Sequence, residues 1–192
     1  MAKLYFKYGA MGCSKTAQAL ITKFNYEERN MKVLLVKPAI DTRDGVGIVK
    51  SRIGLEKPCL NLHENENIYE IYKNSYSDCQ VVIVDECQFL TPTQVDQLDD
   101  IVIDFDIPVL CFGLATDFLT HLFPGSKRLF EIAESIKEIK SVCKCGAKAT
   151  VNARMDENGK IVTEGEQICL GGNDKYEAMC RKCYLKRIKE GK

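Results

Sequence analysis

The segment Gly9-Ala-Met-Gly-Cys-Ser-Lys15-Thr16 restricts what this chain can fold into more than any other. It follows an alternating, strand-like stretch at residues 4–8 and leads into helical periodicity at 16–24, which is the setting of a phosphate-binding loop. In such a turn the backbone N–H groups converge with a helix N-terminus on an anion. Lys15 then bridges the β- and γ-phosphates of ATP, and the Thr16 hydroxyl ligates Mg²⁺. Ser14 stands where this motif carries glycine; serine keeps the needed N–H, provided the backbone there admits a Cβ.

A loop of this kind needs a parallel sheet behind it. Apolar runs at 4–8, 33–36, 81–84 and 109–114 read as strands, and periodicity predicts helices over 16–24, 68–76, 91–99 and 127–136, with Pro92 suited to a first turn. The expected fold is α/β: a P-loop (RecA-like) parallel-sheet domain over residues 1–140 and a small C-terminal zinc-binding domain over 141–192. With 192 residues and 45% hydrophobic content, one such domain and an appendage can be filled. Residues 42–57, with three glycines and mixed charge, read as a mobile loop.

The run 81–84 ends in Asp85-Glu86-Cys87-Gln88-Phe89, and the acid at the end of a buried strand is where a P-loop protein holds its metal. Asp85 is therefore predicted to share Mg²⁺ with Thr16, leaving Glu86 free to act on an attacking group. The expected ATP site comprises Gly9, Ala10, Met11, Gly12, Cys13, Ser14, Lys15, Thr16, Asp85, Glu86, Cys87 and Gln88.

The character changes near Ser141. Cys143, Cys145, Cys180 and Cys183 offer four thiolates in two close pairs, enough for a closed, structural Zn²⁺ site; a redox pair or plain buried thiols are the alternatives. Asn158-Gly159 predicts a hairpin whose turn uses two positive φ angles. The cysteines at 13, 59, 79, 87, 111 and 169 read as small hydrophobes in a reduced interior, except Cys13, which the phosphate loop would leave open to oxidation. Lys+Arg and Asp+Glu both number 27, which removes the bulk positive field of a nucleic-acid binder and favours a small-molecule substrate. No run approaches the roughly 18 apolar residues of a membrane span. The Met1-Ala2-Lys3 start runs straight into a strand pattern, so a soluble, cytoplasmic protein is expected.

Six strings occur in order: Gly9-Ala-Met11 with Lys15-Thr16, Asp41-Thr-Arg43, Asp85 to Phe89, Gly113-Leu-Ala-Thr-Asp-Phe118, the cysteine set, and Gly171-Gly-Asn-Asp-Lys-Tyr176. Together they resemble the zinc-containing thymidine kinase family shared by bacteria and the animal cytosol, over nearly the whole chain. The resemblance implies transfer of the ATP γ-phosphate to the 5′-hydroxyl of thymidine, and of deoxyuridine, in deoxynucleoside salvage. It implies that Glu86 is the catalytic base and that Arg43 and Lys15 complete the catalytic set. Met11, Phe89, Leu114, Phe118 and Phe123 become the walls of a nucleoside pocket, and Gln167, Ile168, Cys169, Leu170 and Gly171, closed by Tyr176, become a lasso loop that covers the base. Asn152, near a threonine that touches the base in relatives, stands outside this set. A homotetramer and inhibition by thymidine triphosphate are further implications. Two rival readings are an ATP-driven nucleic-acid module with a zinc ribbon and a nucleotide sensor without catalysis.

Overall fold

The computed structural model describes residues 1–43, 45–168 and 175–191. The chain begins with β1 (Leu4–Tyr8), α1 (Lys15–Glu27), β2 (Val33–Pro38), β3 (Ile48–Lys50), β4 (Glu56–Pro58) and β5 (Leu60–Leu62). Next come α2 (Ile68–Ile71), which runs into a π-helical turn at Tyr72–Tyr76, then β6 (Val81–Val84) and a 3₁₀ turn at Cys87–Phe89. α3 (Pro92–Phe105), β7 (Val109–Gly113), α4 (Pro124–Ile132) and β8 (Ser135–Glu138) complete the larger part. The C-terminal part holds β9 (Ser141–Val142), β10 (Lys148–Ala149), β11 (Val151–Arg154), β12 (Tyr176–Met179) and α5 (Arg181–Lys189).

Six strands form one sheet in the order β5-β2-β6-β7-β1-β8, every pair parallel. Parallel strands need crossovers, which cover both faces, so β6 and β7 are buried at every position. Alternation then sorts the side chains. Val82 and Val84 join Leu98, Ile101 and Leu129 on the face of α3 and α4, while Val81 and Ile83 join Ala19, Leu20 and Phe112 on the face of α1. β7 stands between the phosphate-loop strand β1 and the strand β6 that leads into Asp85, the RecA-like order expected from the sequence. Beyond the sheet, Cys143, Ala149, Val151, Ala153, Met179, Cys180 and Tyr184 form a second apolar cluster that also takes in Ala10 of the phosphate loop.

Several elements depart from the sequence reading. The predicted helix 127–136 lies at Pro124–Ile132, and Ile136 belongs to the edge strand β8, paired with Phe6. The apolar residues 129, 130, 132, 133 and 136 fit a helical period, and the pairing with β1 overrides it. The strand predicted to reach 114 ends at Gly113. Residues 42–57 are not simply a loop: β3 and β4 pair there, with Val49 1% exposed, while the three glycines and mixed charge of the segment conceal the strand pattern. The reversal at Asn158-Gly159 exists, but only Gly159 has positive φ, at 74°, and an Asp156 cap holds the turn. Pairing across it is short: Met155 bridges Ile161, with Asp156 N–H donating to Lys160 O at 2.9 Å and Val162 N–H to Arg154 O at 2.8 Å, while β11 pairs along its length with β12.

α3 starts on a full capping box, Thr91 with Gln94 and with Pro92 in the first turn. α1 does not. Its first residue follows Ser14 in the left-handed region, φ 63° and ψ 27°, with no side-chain cap. A Cβ there costs about 1–2 kcal/mol, part of which glycine returns as unfolded-state entropy. Ser14→Gly is expected to raise the unfolding free energy by roughly 0.5–1 kcal/mol in urea titration. An unchanged or lower midpoint would show that Ser14 carries no strain.

Candidate functional site

Because β1, β2, β6 and β7 are parallel, the loops leaving their carboxyl ends meet at one edge of the sheet. There they border one cavity of about 390 Å³. Met11, Gly12, Ser14, Lys15 and Thr16 line it from the phosphate loop, Arg43 from the loop after β2, and Glu86, Gln88 and Phe89 from the loop after β6. Leu114, Phe118 and Phe123 follow β7, and Gln167, Ile168 and Tyr176 reach in from the C-terminal part. Cys169, Leu170 and Gly171 lie outside the described residues.

Lys15 is 8% exposed and donates to the carbonyls of Gly9 at 3.1 Å and Ala10 at 2.9 Å. Asp85 lies bonded to the Thr16 hydroxyl, and burial, followed by the charge of Glu86, pushes its carboxyl up to about 7. These two oxygens are the hard donor type that Mg²⁺ takes. Gly9, Ala10, Cys13, Asp85 and Cys87 do not border the cavity. Cys13 is buried with its thiol 3.6 Å from Lys15 Nζ, contrary to the expectation that it is open to oxidants. Cys87 is fully buried and packs in the core, because the 3₁₀ turn aims it back at β7.

Glu86 has φ 53°, a strained left-handed backbone for a glutamate. Its Oε1 is 2.8 Å from Arg43 Nη2, and its Oε2 accepts Gln88 Nε2–H at 2.5 Å. Arg43 also donates through Nε to Asp41 Oδ1 at 2.6 Å. Burial alone would raise the Asp41 pKa; the Arg43 bonds outweigh it and hold the carboxyl below its ordinary value. Burial works against the Arg43 cation too, but the charges of Glu86 and Asp41 raise its pKa. Gln88 completes the frame by accepting the Leu114 N–H at 3.0 Å. A Cβ on Gly113 would stand 2.5 Å from Gln88 Oε1 and 2.7 Å from Cys87 Sγ, so only glycine allows this approach.

On the aromatic side, Phe118 is 1% exposed, and Phe89 meets Phe123 edge-on at 5.8 Å between centroids. Two residues that the sequence reading left out hold this side together. Arg154 lies 3.7 Å over the Phe118 ring and donates to Tyr176 Oη at 2.9 Å, Glu166 O at 3.0 Å and Gln167 O at 3.3 Å. Gln167 Nε2 in turn donates to Asp117 Oδ2 at 2.9 Å. Asn152 accepts the Met11 N–H at 2.7 Å and donates to Thr116 O at 3.1 Å, tying the C-terminal part to the phosphate loop. The one sequence signal for Arg154 is a charge at the end of an otherwise uncharged strand; its partners are side chains and backbone carbonyls of distant segments, which no sequence pattern marks.

The family model described as thymidine kinase matches residues 2–184. The chain belongs to the thymidine kinase family. It is 46% identical over 190 residues to the thymidine kinase of Zymomonas mobilis, covering 98% of each chain. It is 45% identical over 183 residues to that of Rhodopirellula baltica, covering 94% of this chain and 87% of the relative. Among solved structures it is similar to the Pif1 helicase of Candida albicans, with a TM-score of 0.45 and 14% identity, over 73% of this chain but only 36% of the helicase.

In this thymidine kinase family member the sulfur atoms of Cys143, Cys145, Cys180 and Cys183 all lie within 4.8 Å of one another. A tetrahedral ion with metal–sulfur bonds of about 2.3 Å needs sulfurs about 3.8 Å apart, so the cluster fits a closed zinc site. Backbone N–H groups of Cys145 and Cys180 pull the Cys143 thiol down to about 6, while hydrogen bonds with Cys145 and Cys180 push Cys183 up to about 12. Thiolates crowded in this way ionise together only around a cation. A group of four matches a metal site better than it matches a redox pair.

Proposed function

We propose that this family member is a thymidine kinase that transfers the γ-phosphoryl group of ATP to the 5′-hydroxyl of thymidine, and of deoxyuridine, giving the monophosphate in deoxynucleoside salvage. The observation that carries this reading is that Glu86, held by Arg43 and Gln88, shares one cavity with both Lys15 and the Phe118 pocket. Residues 1–140 act as the kinase unit, and 141–192 as the unit that braces the lid.

ATP binds with its phosphates against the loop Gly9 to Thr16, and Lys15 exchanges the carbonyls of Gly9 and Ala10 for phosphate oxygens. Thr16 and Asp85 would hold Mg²⁺, which when bound neutralises phosphate charge. The Glu86 carboxylate takes the proton of the 5′-hydroxyl as that oxygen bonds to the γ-phosphorus; the bond to the β,γ-bridging oxygen breaks and ADP leaves. Arg43 keeps the base oriented and adds positive charge near the equatorial oxygens. The pyrimidine lies among Met11, Phe89, Leu114, Phe118 and Phe123. The lasso residues Gln167, Ile168, Cys169, Leu170 and Gly171, with Tyr176, read its polar edge largely through backbone groups, and Arg154 holds the start of that loop at the carbonyls of Glu166 and Gln167. A mismatched base such as cytosine leaves buried polar groups unpaired. The cysteine cluster holds structural Zn²⁺.

A cytoplasmic homotetramer restrained by thymidine triphosphate, without a nucleic-acid or membrane partner, completes the reading on the strength of the family. Among the described residues no helix is long and apolar enough to cross a membrane.

Purified protein is expected to phosphorylate thymidine from ATP, and Glu86→Gln to lower turnover about 10²–10⁴-fold while keeping ATP affinity. ATP binding with no transfer to thymidine would remove the substrate; unchanged turnover in the variant would remove the base. Arg154→Met is expected to raise KM for thymidine at least about tenfold with little change in KM for ATP, and Arg154→Lys to recover part of the loss. Equal changes in both KM values would mean that Arg154 is only structural. Metal analysis should find about one zinc per chain, lost with the fold of the C-terminal part in Cys180→Ser. A metal-free protein with that part fully folded would overturn the zinc site.

A further inference from the structure

Among the described residues, four cationic side chains border the cavity: Lys15, Arg43, Lys50 and Arg52. Three are accounted for. Lys15 rests on two loop carbonyls, Arg43 is paired with Asp41 and Glu86, and Lys50 faces Glu56 at 3.4 Å. Arg52 has neither a carboxylate nor a hydrogen-bond partner among the described residues. Its Nη1 lies 3.7 Å from the point a Cβ on Gly12 would occupy, which puts the guanidinium against the backbone of the phosphate loop.

The hairpin that carries Arg52 is braced. Within the tip, Ser51 N–H donates to Leu55 O at 2.8 Å, Leu55 N–H to Ser51 Oγ at 3.1 Å, and Gly54 N–H to Ser51 O at 3.0 Å. Behind the tip, Val49 is buried in one apolar cluster with Ala19 and Leu20 of α1, the helix that the phosphate loop opens. At the base, Lys37, 1% exposed, donates to Gly45 O at 3.2 Å and Ile48 O at 2.8 Å. The hairpin is therefore tied to the helix of the phosphate loop.

The loop and the helix start behind it present N–H groups, so their partial charge is positive. A guanidinium facing them is repelled unless an anion lies between. We propose that Arg52 binds the terminal phosphate of the nucleoside triphosphate as a second cation beside Lys15. Its planar fork suits two oxygens of one phosphoryl group, and its charge offsets the negative charge on those oxygens during transfer. The ligand class is a nucleoside triphosphate, distinguished from the diphosphate by this contact. The inference rests on the ATP-dependent reading of the cavity.

The test measures binding of the Mg²⁺ complexes of a non-hydrolysable ATP analogue and of ADP to the full chain by calorimetry, in wild type, Arg52→Gln and Arg52→Lys. The expected result is an analogue Kd raised about tenfold or more in Arg52→Gln, an ADP Kd within about twofold of wild type, and partial recovery in Arg52→Lys. Turnover with thymidine should fall about 10²-fold or more in Arg52→Gln. Wild-type analogue affinity in Arg52→Gln would overturn the proposal, and so would an equal loss for ADP and the analogue. The binding comparison decides the role of Arg52 even where wild-type protein fails to phosphorylate thymidine, so the failure of one reading is separable from the failure of the other.

Discussion

The site depends on the pairing of Arg43 with Glu86, the bond that joins the loop after β2 to the loop after β6. The Arg43 guanidinium is partly open to the cavity, and its donors meet two carboxylates, Asp41 and Glu86, that flank it. The pair in turn fixes the Glu86 carboxylate, whose second oxygen is held by Gln88, whose own carbonyl is fastened to the Leu114 N–H at the end of β7. One chain of charge-assisted and neutral hydrogen bonds thus crosses the ends of three strands. The left-handed backbone of Glu86 is the strain that this frame sustains, and it aims a carboxylate into the cavity rather than along the strand.

The C-terminal part is more than an appendage. Asn152 holds the phosphate loop at Met11, Arg154 backs Phe118 while binding the carbonyls of residues 166 and 167, and Tyr184 donates to Phe118 O at 3.1 Å. Cys143 and Cys180 lie in the same apolar cluster as Ala10, with Cys183 packed against it. The cysteine cluster, β11 and β12, and the wall around Phe118 are therefore linked through a few contacts, so loss of the cluster would be felt at that wall.

What could be read from the sequence was whatever local chemistry encodes. The strand–loop–helix around Lys15, the buried run ending in Asp85, and the cysteine pairs each carry their meaning in adjacent residues. The rest depends on partners far apart in sequence. Ile136 fits a helical period, and only its pairing with Phe6 makes it strand; Val49 lies in a glycine-rich stretch of mixed charge, and only α1 makes it core. Arg154 and Asn152 bond chiefly to backbone atoms of distant segments, which leave no mark in a residue pattern. The left-handed conformations of Ser14 and Glu86 were likewise hidden, since neither residue type announces a positive φ.

The proposed mechanism places Glu86 at the point where the acceptor hydroxyl meets the γ-phosphate. A crystal structure of the protein with thymidine, Mg²⁺ and a non-hydrolysable ATP analogue tests it most directly. The 5′-oxygen is expected within about 2.6–3.2 Å of a Glu86 carboxylate oxygen and in line with the γ-phosphorus, with the thymine ring against Phe118. A 5′-oxygen turned away from Glu86, or a thymine bound outside that aromatic wall, would contradict it.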